Sequence, residues 1–409
     1  MLQQLYKGKS AMFNSQKEDP VLKGILNGSQ AFIGPEIVQF DITNRCNNNC
    51  ICCWNNSPLL GEPTEAKRQE KEFELPFNLI KKIINGLKEM GTKTLFLAGG
   101  GEPFMHPEIM EILRYIKECK MRIFINTNFT LIDKEMAKEI VNLKIDLIHV
   151  SLLAGGTKTY ALIHPNKTEE TFYKIKEVLE YITYLKKEKN QHLYNPLPHI
   201  NLYNVICNKN YKDINNMVEL ALEVKADTIE FTPVDIIPGK TDILLFNKEQ
   251  VDSVNADVNI QLKRLKKYNE NEPVKTNIEQ CDSFLKRINT PGALKGKYES
   301  ETITKQPCYV GWMFARIKAN GEVNPCLKAN RISIGNIYEK PFKEIWDGAE
   351  EQLFRKKSFN LDFHDSYFGR IGDDPNCSFG CLKSCDNIQI NIEMHKKYVD
   401  ILRDYGRIK

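Results

Sequence analysis

Twelve cysteines stand in this chain of 409 residues, and they are unevenly spread. Four fall between Cys46 and Cys53, five between Cys308 and Cys385, and Cys119, Cys207 and Cys281 are scattered. Thiolates bind metals, and two clusters this far apart read as two metal sites rather than as a disulfide framework. The first lies in Asn44-Arg45-Cys46-Asn47-Asn48-Asn49-Cys50-Ile51-Cys52-Cys53-Trp54, where Cys46, Cys50 and Cys53 form a CxxxCxxC arrangement. Three thiolates on one tight loop can hold three irons of a [4Fe–4S] cluster, a cofactor that normally takes four cysteines. The fourth iron then stays open to a substrate, as a catalytic zinc keeps one open position. Zinc is the competing reading. It wants a fourth Cys or His at similar spacing, and Cys52 points the wrong way if its neighbours are ligands.

The second cluster has a different grammar. Cys308 is followed by Gly321 and then Cys326, and Asn320-Gly321 predicts a hairpin turn between Phe314-Ala315-Arg316-Ile317 and Glu322-Val323 that folds the two cysteines toward one another. Cys377, Cys381 and Cys385 follow around Gly380. Five cysteines supply one complete four-thiolate site with one to spare; a four-thiolate zinc knuckle is the alternative.

The elements that must position these clusters alternate. Strands are expected at Ile37–Thr43, Thr94–Ala98, Arg122–Asn126, Leu147–Leu153, Ile200–Ile206 and Thr228–Thr232, short, rich in Ile, Val, Phe and Leu, and several of them apolar almost throughout, as buried parallel strands are. Between them, apolar residues at three-to-four spacing mark helices: Ile80, Ile83, Ile84 and Leu87 in the first, Ile109, Ile112, Leu113 and Ile116 in the second, with a sixth from Lys248 to about Tyr268. Six βα units in a row imply a parallel sheet with helices outside. An open doubly wound sheet competes with a partial (βα)6 TIM-like barrel; no GxGxxG follows the first strand, which favours the barrel. In either case the functional face is at the carboxyl ends of the strands. The expected organisation is a lead-in at 1–35, the barrel at 36–270, a linker with one helix at 271–300, and a small cysteine-rich α+β domain at 301–409.

Composition narrows the class. Hydrophobic residues make up 42% and charged residues 27%, and the lysines and arginines (57) nearly balance the acids (53), leaving a net charge of +4. That gives no electrostatic footprint for nucleic acid. No apolar run approaches the roughly 18 residues of a membrane span, and Met1 to Pro20 lacks the pattern of a secretory signal. The expectation is a cytoplasmic protein with reduced thiols.

The CxxxCxxC after the first strand resembles the signature of the radical S-adenosylmethionine (SAM) superfamily, with Cys46, Cys50 and Cys53 matching its cluster ligands. Cys52 stands where that family usually has an aromatic residue. Gly100-Gly101-Glu102-Pro103, at the end of the second strand, matches the family's GGE motif, whose backbone and carboxylate hold the SAM ammonium. Thr127-Asn128 and Ser151 fall where the family contacts ribose and carboxylate, Ile229 to Pro233 where adenine is held, and Trp54 is placed with the cofactor contacts. The resemblance covers about residues 36–235. It implies a cluster that gives one electron to SAM, so that the carbon–sulfur bond breaks and a 5′-deoxyadenosyl radical takes a hydrogen atom from a substrate. The spacing from Cys308 through Gly321 to Cys326 resembles the auxiliary-cluster extensions known as SPASM and twitch domains. Because the full SPASM ending is absent, this resemblance implies one auxiliary [4Fe–4S] cluster held by Cys308, Cys326 and two of Cys377, Cys381 and Cys385.

Further candidates surround the expected face. Tyr160, His164 and Lys167 lie in the loop after the fourth strand, where His164 is a candidate substrate contact. Cys207, ending the fifth strand, is a candidate hydrogen-atom donor. Cys119 reads as a core residue, Glu230 and Asp235 as possible bases or holders of a polar substrate, and Trp312, Trp346 and the stretch Phe354–Phe368 as packing. Two substrate classes remain open. One is a small polar metabolite of the sugar, aminocyclitol or nucleotide-sugar type, which the sequence reading favours. The other is a ribosomally made peptide, modified by a maturase. An iron–sulfur carrier without enzymatic activity is a third alternative. An electron donor of the flavodoxin or ferredoxin kind is the expected partner.

Overall fold

The computed structural model describes residues 19–189, 197–272, 275–372 and 380–408, so Cys377 lies outside the described residues. Among the described residues there are ten strands: β1 (Ile37–Phe40), β2 (Thr94–Leu97), β3 (Arg122–Thr127), β4 (Leu147–Ser151), β5 (His199–Ile206), β6 (Thr228–Pro233), β7 (Asn277–Glu279), β8 (Phe314–Ile317), β9 (Glu322–Asn324) and β10 (Gly335–Asn336). The chain divides into two compact units, one of Ile42–Glu74 and Phe96–Tyr298, the other of Met1–Asp41, Leu75–Leu95 and Glu299–Lys409.

In the first of these units β3 to β7 pair in chain order, all parallel, with β2 beside β3. The strands alternate in character as a two-faced layer must. Ile148, Val150, Ile200, Leu202, Ile229 and Phe231 are buried and apolar, whereas His149, Asn201 and Glu230 between them are buried and polar. The helices show the expected stripes. In Ile109–Glu118, for example, Ile109, Ile112, Leu113 and Ile116 are buried, and Lys248–Asn271 begins with an Asn247–Gln250 capping box. β7 was not expected: Asn277-Ile278-Glu279 has a single apolar residue, yet it pairs with β6 through Thr228↔Asn277 to Glu230↔Glu279. Its place comes from the neighbouring strand rather than from its own pattern.

The second unit joins the C-terminal region to β1. β8 pairs parallel with β1, in register from Ile37↔Phe314 to Phe40↔Ile317, and antiparallel with β9, which pairs with β10. The Asn320-Gly321 turn is where the sequence places it, with Gly321 at φ +84° and Lys318 ion-paired to Glu322 across the hairpin. The Arg316 guanidinium meets Asp41 at 2.6 Å in a buried pair, and Asp41 also accepts from the Gln39 amide, so the charges are compensated. Trp312 and Trp346 are buried, each donating its indole N–H to a backbone carbonyl, of Gln30 and Ile33 respectively.

Candidate active site

The cysteine loop after β1 is built to aim sulfurs. The backbone N–H of Asn48 donates to the Cys46 sulfur, and those of Asn55 and Asn56 donate to the Cys53 sulfur. His164 places Nδ1 3.1 Å from the Cys50 sulfur, while its Nε2 donates to the Leu152 carbonyl. Burial pushes all three thiols up, Cys46 to about 11, and each thiol's proximity to the others adds to the effect at Cys46 and Cys50. The Lys167 ammonium is the cation facing Cys46 and Cys50. Cys52 turns the other way, into an apolar cluster of Ile51, Leu153, Ile163, Cys207, Val234, Ile236 and Leu244.

Asparagines tie the loop down. Asn47 bonds Asn128 and Thr130, Asn49 and Asn166 bond one another, and Asn166 also donates to the Asn47 carbonyl. The Trp54 indole donates to the Asp235 carbonyl just past β6, and Arg45 pairs with Glu74 at 2.5 Å. Only the Asn47-Asn48-Asn49 run hinted at this network in the sequence.

The glycine-rich turn after β2 serves the same loop. The Glu102 N–H donates to the Arg45 carbonyl at 2.8 Å. A Cβ on Gly101 would stand 2.2 Å from that carbonyl oxygen, and one on Gly100 would stand 2.4 Å from Asn44 Oδ1. These glycines are therefore required first by the close approach of the cysteine loop. The Glu102 carboxylate is buried and accepts three bonds, from Thr127 Oγ1, Asn128 N and Phe104 N, which leaves one of its acceptor sites open. Pro103 opens the short 3-10 turn Pro103–Met105.

Burial raises the Glu102 carboxyl to about 7 from its ordinary 4.5, against the pull of those three donors. Between these two values the unfolded chain gives up its proton first, so this group's contribution to stability falls as pH rises through the window and levels off above it. Glu102→Gln should remove that slope. It should also destabilise the metal-free protein by about 1–3 kcal/mol, because the new amide N–H₂ would face the Asn128 N–H. Urea midpoints at pH 5 and pH 8 would check both; equal midpoints for the two proteins would refute the assignment.

The remaining candidates are placed as follows. Ser151 donates to Asn126 Oδ1. Tyr160 is buried, its ring tilted 45° against that of His164 with centroids 4.5 Å apart, and burial pushes its hydroxyl up. Cys207 is 1% exposed and its thiol is raised by burial. Burial lowers His164 to about 4, so the ring is neutral near pH 7. Glu230 accepts from Asn201 and Gln280 and is raised by burial.

In the other unit, Cys308, Cys326, Cys381 and Cys385 line one cavity. Burial raises Cys308 to about 11 and Cys326 to about 12, and Cys385 well above its ordinary value, with the neighbouring thiols contributing at Cys326 and Cys385. Among the described residues, no three His, Cys, Asp or Glu side chains are spaced to hold a single ion. In a cluster each iron takes one thiolate, so the sulfurs need not meet at one point. Buried polar atoms at the first site fit such a group. The Asn48 amide faces the Cys50 sulfur, and the buried Tyr160 hydroxyl near Cys50 has no hydrogen-bond partner among the described residues.

Comparison with known proteins identifies the core. The model for the radical SAM superfamily matches residues 40–221, and that for a SPASM iron–sulfur cluster-binding domain matches residues 308–367. The chain carries a radical SAM core over residues 40–221. Among curated relatives of this radical SAM protein, a tungsten-containing aldehyde ferredoxin oxidoreductase cofactor-modifying protein of Pyrococcus furiosus is 25% identical, over 77% of this chain and 82% of its own. The Fe-coproporphyrin III synthase of Methanosarcina barkeri is 26% identical, over 78% and 75%. The antilisterial bacteriocin subtilosin biosynthesis protein AlbA of Bacillus subtilis is 23% identical, over 78% of this chain and 61% of its own. In fold, the chain resembles Streptococcus suis SuiB bound to its precursor peptide SuiA, with a TM-score of 0.58, 16% identity and coverage of 87% and 76%. This radical SAM enzyme takes a [4Fe–4S] cluster, SAM and auxiliary iron–sulfur chemistry. Among its described residues no helix is long and apolar enough to cross a membrane.

Proposed function

We propose that this enzyme oxidises a residue of a ribosomally made peptide. What carries the reading is the pairing of two thiol sites, the cysteine loop Cys46–Cys53 and the separate cavity of Cys308, Cys326, Cys381 and Cys385. It is supported by similarity to the subtilosin biosynthesis protein along 78% of this chain. The comparisons back the peptide reading better than the sugar-type metabolite that the sequence reading favoured.

When bound, the first cluster supplies one electron to SAM and the second offers a place for the electron left on the substrate. The chain's own residues do the rest. Cys46, Cys50 and Cys53 would ligate the first cluster, their loop held by Asn47, Trp54 and Arg45. The one open acceptor site of Glu102 suits an ammonium group; Asn128, just past β3, is bonded to Glu102, and Ser151 ends β4. Lys167 adds positive charge toward Cys46 and Cys50. The apolar packing around Cys52 and Cys207 excludes water from one side of the loop. A ferredoxin or flavodoxin would deliver the starting electron.

The test is anaerobic incubation of the reduced, iron-loaded protein with SAM and each short peptide that genes neighbouring its own encode. The expected product is a peptide lighter by two hydrogen atoms, with one 5′-deoxyadenosine formed per peptide. A second reading, modification of a tetrapyrrole, is favoured by the Fe-coproporphyrin III synthase relative. Turnover of iron coproporphyrin with no change in the peptide would replace the first reading by the second.

A further inference from the structure

We propose that Asn391 is a positioning residue of the second thiol site, donating its amide N–H to the Cys308 sulfur and, together with Gln306, raising the reduction potential of the auxiliary cluster. This rests on the reading of that cavity as an iron–sulfur site.

The orientation of the Asn391 amide is fixed by a partner that can only donate. Its Oδ1 accepts the backbone N–H of Tyr309 at 2.7 Å, so Nδ2 is the atom that faces the Cys308 sulfur, at 3.6 Å. Asn391 is 4% exposed and sits in the first turn of the helix Ile388–Asp404, which lies against the cavity. Gln306 lines the same cavity and holds a buried Nε2 that has no partner among the described residues. One amide is already committed to a ligand sulfur, and a second buried donor stands with nothing to donate to. A cluster filling the cavity would bring acceptors, its sulfurs, to both.

The consequence is electronic. Each sulfur carries more negative charge when the cluster is reduced, so an N–H bond to sulfur stabilises the reduced form more than the oxidised one. Burial keeps water from competing with that bond. A raised potential suits the centre to take one electron from a substrate radical, which then loses its proton to solvent and leaves as the oxidised product.

The measurement is a redox titration followed by spin resonance, in full-length protein with Cys46, Cys50 and Cys53 changed to Ala so that only the second centre reports. Asn391→Asp keeps the acceptor for Tyr309 and removes the donor. The reduced-to-oxidised ratio at a fixed potential should fall at least tenfold, a shift of about 59 mV for one electron. Gln306→Leu should move it in the same direction by less. Rescue is expected from Asn391→Ser, whose hydroxyl can donate, with a midpoint nearer the parent's than that of Asn391→Asp. An unchanged midpoint in whichever of Asn391→Asp and Gln306→Leu keeps its iron overturns the proposal. Loss of iron from both also overturns it, by making the amides structural. Zinc rather than iron in the parent protein would mean that the reading of the cavity itself is wrong, a different failure.

Discussion

Changing Cys46, Cys50 and Cys53 together to alanine should abolish 5′-deoxyadenosine formation while leaving about four irons per chain at the second site. The first effect is expected to be total, because every later step needs the radical that this site generates. The second follows from the separation of the ligand sets: Cys308, Cys326, Cys381 and Cys385 line a cavity in the other compact unit. Iron and sulfide analysis of the anaerobically loaded variant, beside the parent at about twice the iron, would measure it. Retained SAM cleavage would remove the loop from the mechanism, and complete loss of iron would mean that only one centre exists. Loading should also depend on pH with a definite sign. Burial holds the Cys46 thiol at about 11 and raises Cys50 and Cys53 as well, so iron must displace protons that are firmly bound near neutrality. Raising pH therefore favours loading and lowering it favours release.

How far the sequence could be read depended on whether a residue's environment was local. The CxxxCxxC spacing, the apolar strands and the Asn320-Gly321 hairpin were legible because loop geometry and side-chain periodicity are short-range properties. β7 was not legible, since Asn277-Ile278-Glu279 becomes a strand only through pairing with β6. Gly100 and Gly101 were legible as part of a motif, but not their tightest neighbours, Asn44 and Arg45, more than fifty positions earlier. Glu102 was singled out by its motif, but the three donors that hold its oxygens, from its own turn and the end of β3, were not legible. His164 ends the helix Thr157–Ile163 where a loop was expected, and it meets Cys50 and a backbone carbonyl, contacts that no spacing rule reaches. Asn391 lay outside every motif, and its contact with Cys308 spans 83 positions.

Gly101→Ala should damage the first site selectively, and the reason is steric. The added methyl would lie 2.2 Å from the Arg45 carbonyl oxygen and 2.5 Å from the Asn44 carbonyl carbon. Both are backbone atoms, so no flexible side chain can swing aside; either the cysteine loop lifts or the end of β2 retreats. Either movement stretches the bond from Glu102 N to Arg45 O that joins the two segments. Overpacking of this kind costs typically about 1–3 kcal/mol, and here it falls on the segment that carries Cys46. The metal-free variant should accordingly unfold at lower urea, hold less iron at the first site, and form 5′-deoxyadenosine at least roughly tenfold more slowly, the factor that about 1.4 kcal/mol represents. Iron at the second site should be unchanged. Gly86→Ala is the matched control, because its methyl meets nothing within 4 Å and Gly86 lies inside the helix Phe77–Glu89. That change should stabilise the protein by up to about 1 kcal/mol through helix propensity and leave both iron sites alone. If Gly101→Ala kept full iron and full SAM cleavage, the close approach of the two loops would have to be slack enough to absorb a methyl group, and the glycine would need another explanation.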